Sequence, residues 1–166
     1  MALVLSGDAG ITFPVTAGSA SAVQASSGRV LQVVQGTYST ATITTSTSYV
    51  DTGLTATITP SSASNKVLVS ATISAFIYGG GLDSGCKFQL VRGSTALLTP
   101  VNNSLYFYNP TSGTETVVAF PLTYLDSPAT TSATIYKLQV AATDGGTVNV
   151  NSSGNIAVIT LMEIAA

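Results

Sequence analysis

Residues 67–78 read VLVSATISAFIY, and this stretch decides the fold class. Apolar side chains recur at every second position from Val67 to Ile77, while Ser70, Thr72 and Ser74 lie between them. Successive side chains of a β-strand point to opposite faces of its sheet. The pattern therefore predicts a long strand with one buried face and one face rich in hydroxyls.

Strand-like segments continue on both sides of this run, and residues typical of turns separate them. Helical spacing is not sustained in any useful window, and the density of Ser, Thr, Val and Tyr opposes helix. Eight or more short strands in one domain predict an all-β fold, an antiparallel β-sandwich of jelly-roll type, with a closed barrel as the alternative. The predicted strands are 30–38, 41–45, 56–59, 67–78, 86–92, 105–108, 115–125, 135–142, 147–150 and 156–164. The predicted turns are 51–53, 60–62, 79–81, 92–94, 109–110, 126–128 and 144–146, of which Asp144-Gly145 indicates a hairpin.

The composition is unusually poor in charge. Charged residues are 7% of the 166, against roughly 25% in an ordinary soluble domain. A hydroxyl-covered surface suits packing against copies of the same chain, because little charge has to be desolvated at the contact. We therefore expect self-association, with a monomer of neutral surface as the alternative.

Two kinds of partner are not expected from the charge and hydropathy patterns. The five basic residues are scattered along the chain, whereas phosphate binding needs clustered Lys and Arg, so nucleic acid is not a predicted partner. No stretch approaches the roughly 20 apolar residues of a spanning helix, so membrane insertion is not predicted. The basic residues are Arg29, Lys66, Lys87, Arg92 and Lys137.

The first 27 residues differ from the remainder, which predicts an N-terminal docking arm and linker over 1–27 and a β-sandwich domain over 28–166. Leu3, Leu5, Ile11 and Phe13 are apolar residues that so short a segment cannot bury by itself. We expect them to anchor the arm on the sandwich, on another subunit or on a larger particle; an added strand of the same domain is the alternative. The start has no basic n-region or long apolar region, so a signal peptide is not predicted.

Catalytic groups are scarce. The chain has no histidine, so its single cysteine, Cys86, lacks the usual activating base and is predicted to be a buried thiol beside Phe88 and Leu90. The carboxylates lie mostly next to Gly, Ser or Thr in predicted turns, although two of them approaching in the fold would resemble a glycosidase pair. We expect no enzyme activity, no metal site and no cofactor. The carboxylates are Asp8, Asp51, Asp83, Asp126, Asp144, Glu115 and Glu163.

One segment has the composition of a recognition surface. Residues 102–109 place Tyr106, Tyr108 and Asn109 close together, and aromatic rings beside amides are common in sugar and protein recognition. These residues are candidates for surface recognition. The alternative is a plain strand with Tyr106 and Tyr108 outward and Phe107 buried.

Several segments resemble small β-sandwich virion proteins of tailed bacteriophages, of the tail-fibre and capsid-decoration type. Their order and spacing cover most of the chain from about residue 28, and the opening at 3–14 is similar to the start of many phage tail-fibre proteins. The resemblance implies a homotrimer whose N-terminal arm is fixed to other virion proteins and whose sandwich is exposed. The segments are 49–61, 65–69, 90–94, 124–129 and 159–164.

Two functions of different classes follow from this resemblance, and both place the chain on the virion surface, on the tail or on the capsid. In the first, the chain is a tail-fibre or receptor-binding component that contacts a host glycan or protein. In the second, it is a capsid decoration (cement) protein that stabilises the head lattice. The fibre-like opening favours the first.

Overall fold

A computed structural model describes residues 4–6, 10–12, 28–78, 83–100, 102–108, 115–143 and 146–166. These ranges form β-strands and a single turn of 3-10 helix at Ser152–Gly154. The strands are β1 (Val4–Ser6), β2 (Gly10–Thr12), β3 (Val30–Tyr38), β4 (Thr42–Thr44), β5 (Val50–Ile58), β6 (Lys66–Tyr78), β7 (Asp83–Arg92), β8 (Thr95–Leu98), β9 (Leu105–Tyr108), β10 (Glu115–Asp126), β11 (Thr134–Thr143), β12 (Thr147–Val150) and β13 (Ala157–Ile164).

Two antiparallel sheets contain all of these strands except β1 and β2, which pair with each other. In sheet 1, β10 runs along one edge of β6, while β12 and β13 lie end to end along its other edge and pair in turn with β4 and β3. In sheet 2, β11 lies between β5 and β7, and β8 and β9 lie end to end along the far edge of β7. Each sheet is therefore effectively four strands wide in the described ranges.

The pairing is nested, which identifies the jelly roll. Counting end-to-end strands as one, the first strand (β3 and β4) pairs with the last (β12 and β13), and the second (β5) pairs with the next to last (β11). The third (β6) pairs with the sixth (β10), and the fourth (β7) pairs with the fifth (β8 and β9). Such a rolled hairpin of eight antiparallel strands in two packed sheets is a jelly roll. The predicted sandwich is confirmed, and the alternative of a closed barrel is not adopted in these ranges.

The core lies between the sheets and follows the predicted alternation. The six apolar residues of β6 from Val67 to Ile77 that share the predicted face are all buried, while Thr72 on the opposite face is exposed. Sheet 2 contributes the alternate residues of β7, including Cys86 and Phe88, and the Phe88 ring stacks on Phe120 with ring centroids 4.7 Å apart. The face assignment of the central strand and the burial of Cys86 are thereby confirmed.

Asp51-Thr52-Gly53 was predicted to be a turn, and that prediction is wrong because these residues lie inside β5. Gly53 adopts a φ of +86°, and the register of β5 against β11 shifts at this point. A glycine with positive φ accommodates an extra residue as a β-bulge, so turn-forming residues here bend a strand without ending it. The strand consequently begins at Val50, six residues before the predicted start.

The predicted hairpin at Asp144-Gly145 is also wrong. These two residues lie outside the described ranges, but the strands they connect belong to different sheets: β11 pairs with β5 and β7, whereas β12 pairs with β4 and β6. The connection carries the chain across the sandwich. Thr95–Leu98 is an additional strand that the sequence patterns did not indicate.

Replacing Ile73 with Asp should unfold the sandwich. Ile73 is fully buried in the middle of β6, so an unpaired carboxylate would enter the core at a cost that exceeds the usual stability of a small domain. Circular dichroism during thermal unfolding measures the effect. Ile135→Asp is the matched control, because Ile135 is 49% exposed on sheet 2 and the same substitution there should change the melting temperature little. A folded Ile73→Asp with an unchanged melting temperature would contradict the face assignment.

Candidate functional site

The outer face of sheet 1 carries an uninterrupted apolar row across four strands. Met162 on β13 lies opposite Val33 on one side and opposite Leu68 on the other, and Leu68 lies opposite Leu125. Val33 and Leu125 at the two ends are 59% and 50% exposed. Val30, also exposed, pairs with Ile164 beside this row and extends it toward the end of the sheet. Exposed apolar side chains grouped in this way make this surface a candidate for contact with a partner.

Hydroxyl-bearing side chains cover the middle of the same face. Ser70 lies between Thr160 and Thr123, and Thr72 lies in the next row. Among the described side chains of sheet 1, Lys66 at the border is the charged group on this outer surface. We call this outer surface of sheet 1 the neutral face.

The outer face of sheet 2 is different, because it carries charges and a hollow. Lys137 Nζ donates a hydrogen bond to Asp51 Oδ2 at 2.9 Å, and Gln139 Nε2 donates to Asp51 Oδ1 at 2.7 Å. These bonds lower the pKa of Asp51 below its ordinary value, the bond from Lys137 contributing most. The pair is exposed, so it adds little stability.

The hollow lies beside a glycine in a cross-strand row. Gly85 on β7 lies opposite Tyr106 of β9 on one side and opposite Thr143 of β11 on the other. Gly85 has no side chain, and Thr143 Oγ1 and Asn103 Nδ2 fill the position that a Cβ there would take. The hollow has a volume of about 450 Å³ and is lined by Lys87, Asn102, Asn103, Tyr106 and Thr143. We call it the Gly85 hollow.

Backbone contacts fix the segment that forms one wall of the hollow. Ser104 N–H donates to the carbonyl of Cys86 at 2.8 Å, and Phe88 N–H donates to Ser104 Oγ at 2.9 Å. An added Cβ at Gly85 would come within 2.8 Å of Asn103 Nδ2 and within 2.7 Å of the Leu105 carbonyl. Residues 102–105 can therefore approach β7 this closely only beside a glycine.

One buried polar atom of the hollow has no partner. Thr143 is 8% exposed, and its Oγ1 makes no hydrogen bond to the described residues. A buried hydroxyl without a partner costs about 1–3 kcal/mol. Thr143 lines the hollow, but its hydroxyl oxygen is itself buried and closed off from solvent.

The sequence-predicted recognition residues fall partly within this site. Tyr106 lines the hollow and is 50% exposed, and Phe107 is partly buried against the core. Tyr108 continues the strand, and Asn109 lies outside the described residues. Lys87 and Thr143 were not identified from the sequence, because they come from distant strands and only the sheet register brings them to Tyr106.

The arm residues are described only in part. Leu5 on β1 lies opposite Ile11 on β2, while Leu3 and Phe13 lie outside the described residues. β1 and β2 form a separate two-stranded sheet that is not paired with sheet 1 or sheet 2. Docking of the arm remains a prediction.

The carboxylates whose side chains are described make separate contacts. Asp126 is buried at the end of β10, where Arg92 Nη1 lies 2.8 Å from its Oδ2 and Tyr136 OH donates to the same atom at 2.6 Å. This contact joins β7 and β11 of sheet 2 to β10 of sheet 1.

The buried cysteine has a raised pKa. Burial raises the pKa of the Cys86 thiol to about 12.

The described ranges contain neither a cluster of metal-binding side chains nor a helix that could cross a membrane. No group of three or more Cys, Asp or Glu side chains is placed to hold a metal ion. None of the helical structure in these ranges has the length and hydropathy to cross a membrane.

Glu163 is a buried carboxylate held entirely by neutral donors. It occupies an inward position of β13 and is 1% exposed. Ser61 N–H, Ser61 Oγ and Asn65 Nδ2 donate to its Oε1 at 2.7, 2.7 and 2.6 Å, and Gln32 Nε2 donates to Oε2 at 2.6 Å. The segment 59–65 carries the chain from sheet 2 to sheet 1, so these bonds fasten that crossing to the last strand.

The bonds change the proton affinity of Glu163. Burial raises its pKa, but the bonds from Gln32, Asn65 and Ser61 more than offset this and lower the pKa to about 2, from an ordinary value of 4.5. Since the pKa in the folded state lies below that of the unfolded chain, this group stabilises the fold above pH 4.5. The contribution is lost as the pH falls from 4.5 toward 2.

Glu163→Gln should lower the free energy of unfolding at pH 7 by about 2 kcal/mol, because charge-assisted hydrogen bonds are lost. It should also flatten the dependence of stability on pH between 4.5 and 2. Urea unfolding at several pH values measures both effects. Asp51→Asn, which removes an exposed carboxylate, is the control and should alter the curve little. A variant with the same acid sensitivity as the wild type would show that Glu163 does not hold the crossing segment.

No protein-family model matches this chain, and no curated protein matches it. Solved structures from infectious bursal disease virus are similar in fold. The Gx strain structure has a TM-score of 0.41 at 14% identity and the Gt strain structure 0.39 at 16%, with 99% of this chain covered in each case. A VP2 protein of the same virus, from T=1 particles, has a TM-score of 0.41 at 18% identity.

This chain spans just under half of the length of the chains it matches, between 44% and 47% in these three cases. At such TM-scores the likeness carries no argument about function. The jelly-roll assignment rests on the strand pairing itself.

Proposed function

We propose that this chain is a non-enzymatic structural component of a virus particle, and more narrowly a homotrimeric tail-fibre or receptor-binding component of a tailed bacteriophage. The observation that carries the proposal is the neutral face, an exposed sheet surface with a cross-strand apolar row and almost no charge. The resemblance of segments such as 49–61 to phage virion proteins supports the narrower assignment.

A second copy of this chain is the partner that fits the neutral face. Burying the row from Val33 to Leu125 removes apolar surface from water, which stabilises an interface by roughly 25 cal/mol per Å² before the costs of association. The surrounding Ser and Thr hydroxyls can pair across the contact, and Lys66 at the border need not be buried. Three copies turning this face toward a common axis form a closed assembly.

The outer face of sheet 2 suits exposure to solvent in the same assembly. It holds the Asp51–Lys137 pair and Lys87, which would cost free energy to desolvate. The Gly85 hollow lies on this side, so assembly through the neutral face leaves it accessible.

The arm, residues 1–27, attaches the chain to the particle in this proposal. A two-stranded hairpin is at best marginally stable alone, and among the described strands β1 and β2 pair with each other and with neither sheet, with Leu5 opposite Ile11. Such a hairpin gains stability by packing on a larger body. Attachment of residues 1–27 to other virion proteins accounts for the apolar residues there.

Charge introduced on the neutral face should block self-association. A double variant, Val33→Lys with Leu125→Lys, places ammonium groups at both ends of the apolar row and should shift the protein from trimer to monomer. Analytical ultracentrifugation measures the mass, and thermal unfolding shows whether each subunit remains folded. Ile135→Lys is the matched control: Ile135 is 49% exposed on sheet 2, and this variant should stay trimeric. If the double variant remained trimeric, the copies would have to meet at a surface other than the neutral face.

The number of copies per particle tests the proposed role. Quantitative mass spectrometry of purified particles gives the ratio of this chain to the major capsid protein. A few to a few dozen copies, in multiples of three, are expected for a tail component. Hundreds of copies would indicate a decoration protein of the head lattice, and absence from the particle would overturn the virion role.

A further inference from the structure

We propose that Pro121 closes the free edge of β10 to strand addition, so that copies of this chain meet through their side chains and do not join their sheets edge to edge. The proposed virion role is not needed for this inference, which concerns any association of the sandwich. The length of the edge, the direction of its backbone groups and the position of the proline each support it.

β10 is the longest of the described strands that lie at the edge of a sheet. It runs over 12 residues and pairs with β6, and no backbone hydrogen bond joins its other side to the described residues. The edge strands β8 and β9 have four residues each. A long unpaired edge is a template on which another strand can add.

The other long edge strands, β3 and β5, protect each other. Thr42 Oγ1 donates a hydrogen bond to the Thr52 carbonyl at 3.1 Å, and Gln32 Nε2 donates to the Thr59 carbonyl at 2.8 Å. Gly36 on β3 lies so close to β5 that an added Cβ would overlap the backbone of that strand. Among the described edges, β10 is therefore the long one that is left open.

Backbone groups at alternate positions of β10 point toward its free edge. Asn151 N–H donates to the carbonyl of Ser74 on β6 at 3.0 Å, so Ser74 directs its backbone groups away from β10. Opposite residues of an antiparallel pair share this direction, either toward each other or away from each other. Ala119 lies opposite Ser74, and Pro121 follows two residues later. The backbone groups of both residues therefore point outward.

Pro121 lies in the middle of this outward set. The register of β10 with β6 is continuous from Glu115 to Asp126, because a proline at an outward position removes no hydrogen bond from that pairing. A strand that added to the free edge would need an N–H group at position 121, and proline has none. The ring carbon bonded to the proline nitrogen occupies the place of that hydrogen.

Without the proline this edge would favour strand addition. Val117 and Leu125 on it are 55% and 50% exposed, and Ala119, Pro121 and Thr123 between them are exposed and uncharged. Long edges with apolar, uncharged side chains tend to pair with other chains. The proline leaves the side chains of the neutral face as the groups through which copies meet.

Pro121→Thr tests the inference, because it supplies the missing N–H at an exposed position where threonine suits a strand. At concentrations where the wild type sediments as one discrete species, this variant should form species of about twice that mass or more, since edge pairing joins whole assemblies. Analytical ultracentrifugation measures the mass. Circular dichroism should show that the sandwich remains folded.

Ala119→Pro in the Pro121→Thr background is the matched control. It returns a proline to the outward set of β10 two residues away, so this double variant should sediment as the wild type does. Pro128→Thr is a second control, because Pro128 lies outside the strands and its replacement should leave the mass unchanged.

Hydrogen exchange resolved to single amides identifies the surface that is used. In the wild type, the outward amides of Val117, Ala119 and Thr123 should exchange rapidly, whereas those of Val118 and Leu122, which face β6, should exchange slowly. In the larger species formed by the threonine variant, the outward amides should exchange about tenfold more slowly or less, because each gains a hydrogen bond.

Four results would overturn the inference: an unchanged mass for Pro121→Thr, larger species from the double variant as well, larger species whose outward amides still exchange rapidly, or loss of the folded state in Pro121→Thr. The last would assign the proline a role in folding. A monomeric wild type would reject the neutral face as the contact between copies, while Pro121→Thr should then form dimers. Absence from particles would reject the virion role alone.

Discussion

Burial of one face of β6 is the interaction on which the rest of the structure depends. This strand pairs along both edges, with β10 on one side and with β12 and β13 on the other, and its six inward apolar residues form the middle of the core. Side chains alternate along a strand, so burying that set places the other set on the outer surface of sheet 1. The neutral face is thus a direct consequence of the register that forms the core.

The strong alternation of β6 made both the strand and its faces predictable, and the strands β3 and β13 were predicted without an assignment of their faces. The predictions of turns failed where the same short sequence occurs in two different kinds of structure. Asp51-Thr52-Gly53 is a common turn sequence, yet positive φ at Gly53 serves equally well in a bulge within β5. Asp144-Gly145 reverses the chain between neighbouring strands in many proteins, but here it joins strands of different sheets. The residues of a turn do not by themselves determine which sheet the next strand joins.

The candidate sites were predictable to different degrees. Tyr106 was identified because aromatic and amide residues cluster in the sequence around it. Thr143 and Lys87 meet it only through the register of β7 with β9 and β11, which requires the whole topology. The inward Glu163 had a signal that could have been used, since it follows Ile159 and Leu161 in the buried alternation of β13. A carboxylate on a buried face needs donors, and the crossing segment at Ser61 and Asn65 supplies them.

The two outer surfaces of the sandwich have opposite character, and this asymmetry underlies the functional account. Sheet 1 presents apolar and hydroxyl groups, whereas sheet 2 presents charges and the Gly85 hollow. A jelly roll that associates through one sheet leaves the other free for recognition. This division between a neutral face and a charged face would suit any assembly of identical subunits around an axis. The arm would determine where on a particle that assembly is attached.

Hydroxyl-radical footprinting of the purified protein over a range of concentrations tests the central claim most directly. The account predicts that oxidation of Met162 and Leu125 on the neutral face slows as concentration rises and copies associate, while oxidation of Tyr106 on sheet 2 stays constant. If Met162 remained equally reactive at every concentration while the protein was trimeric, the neutral face would not be the contact between copies.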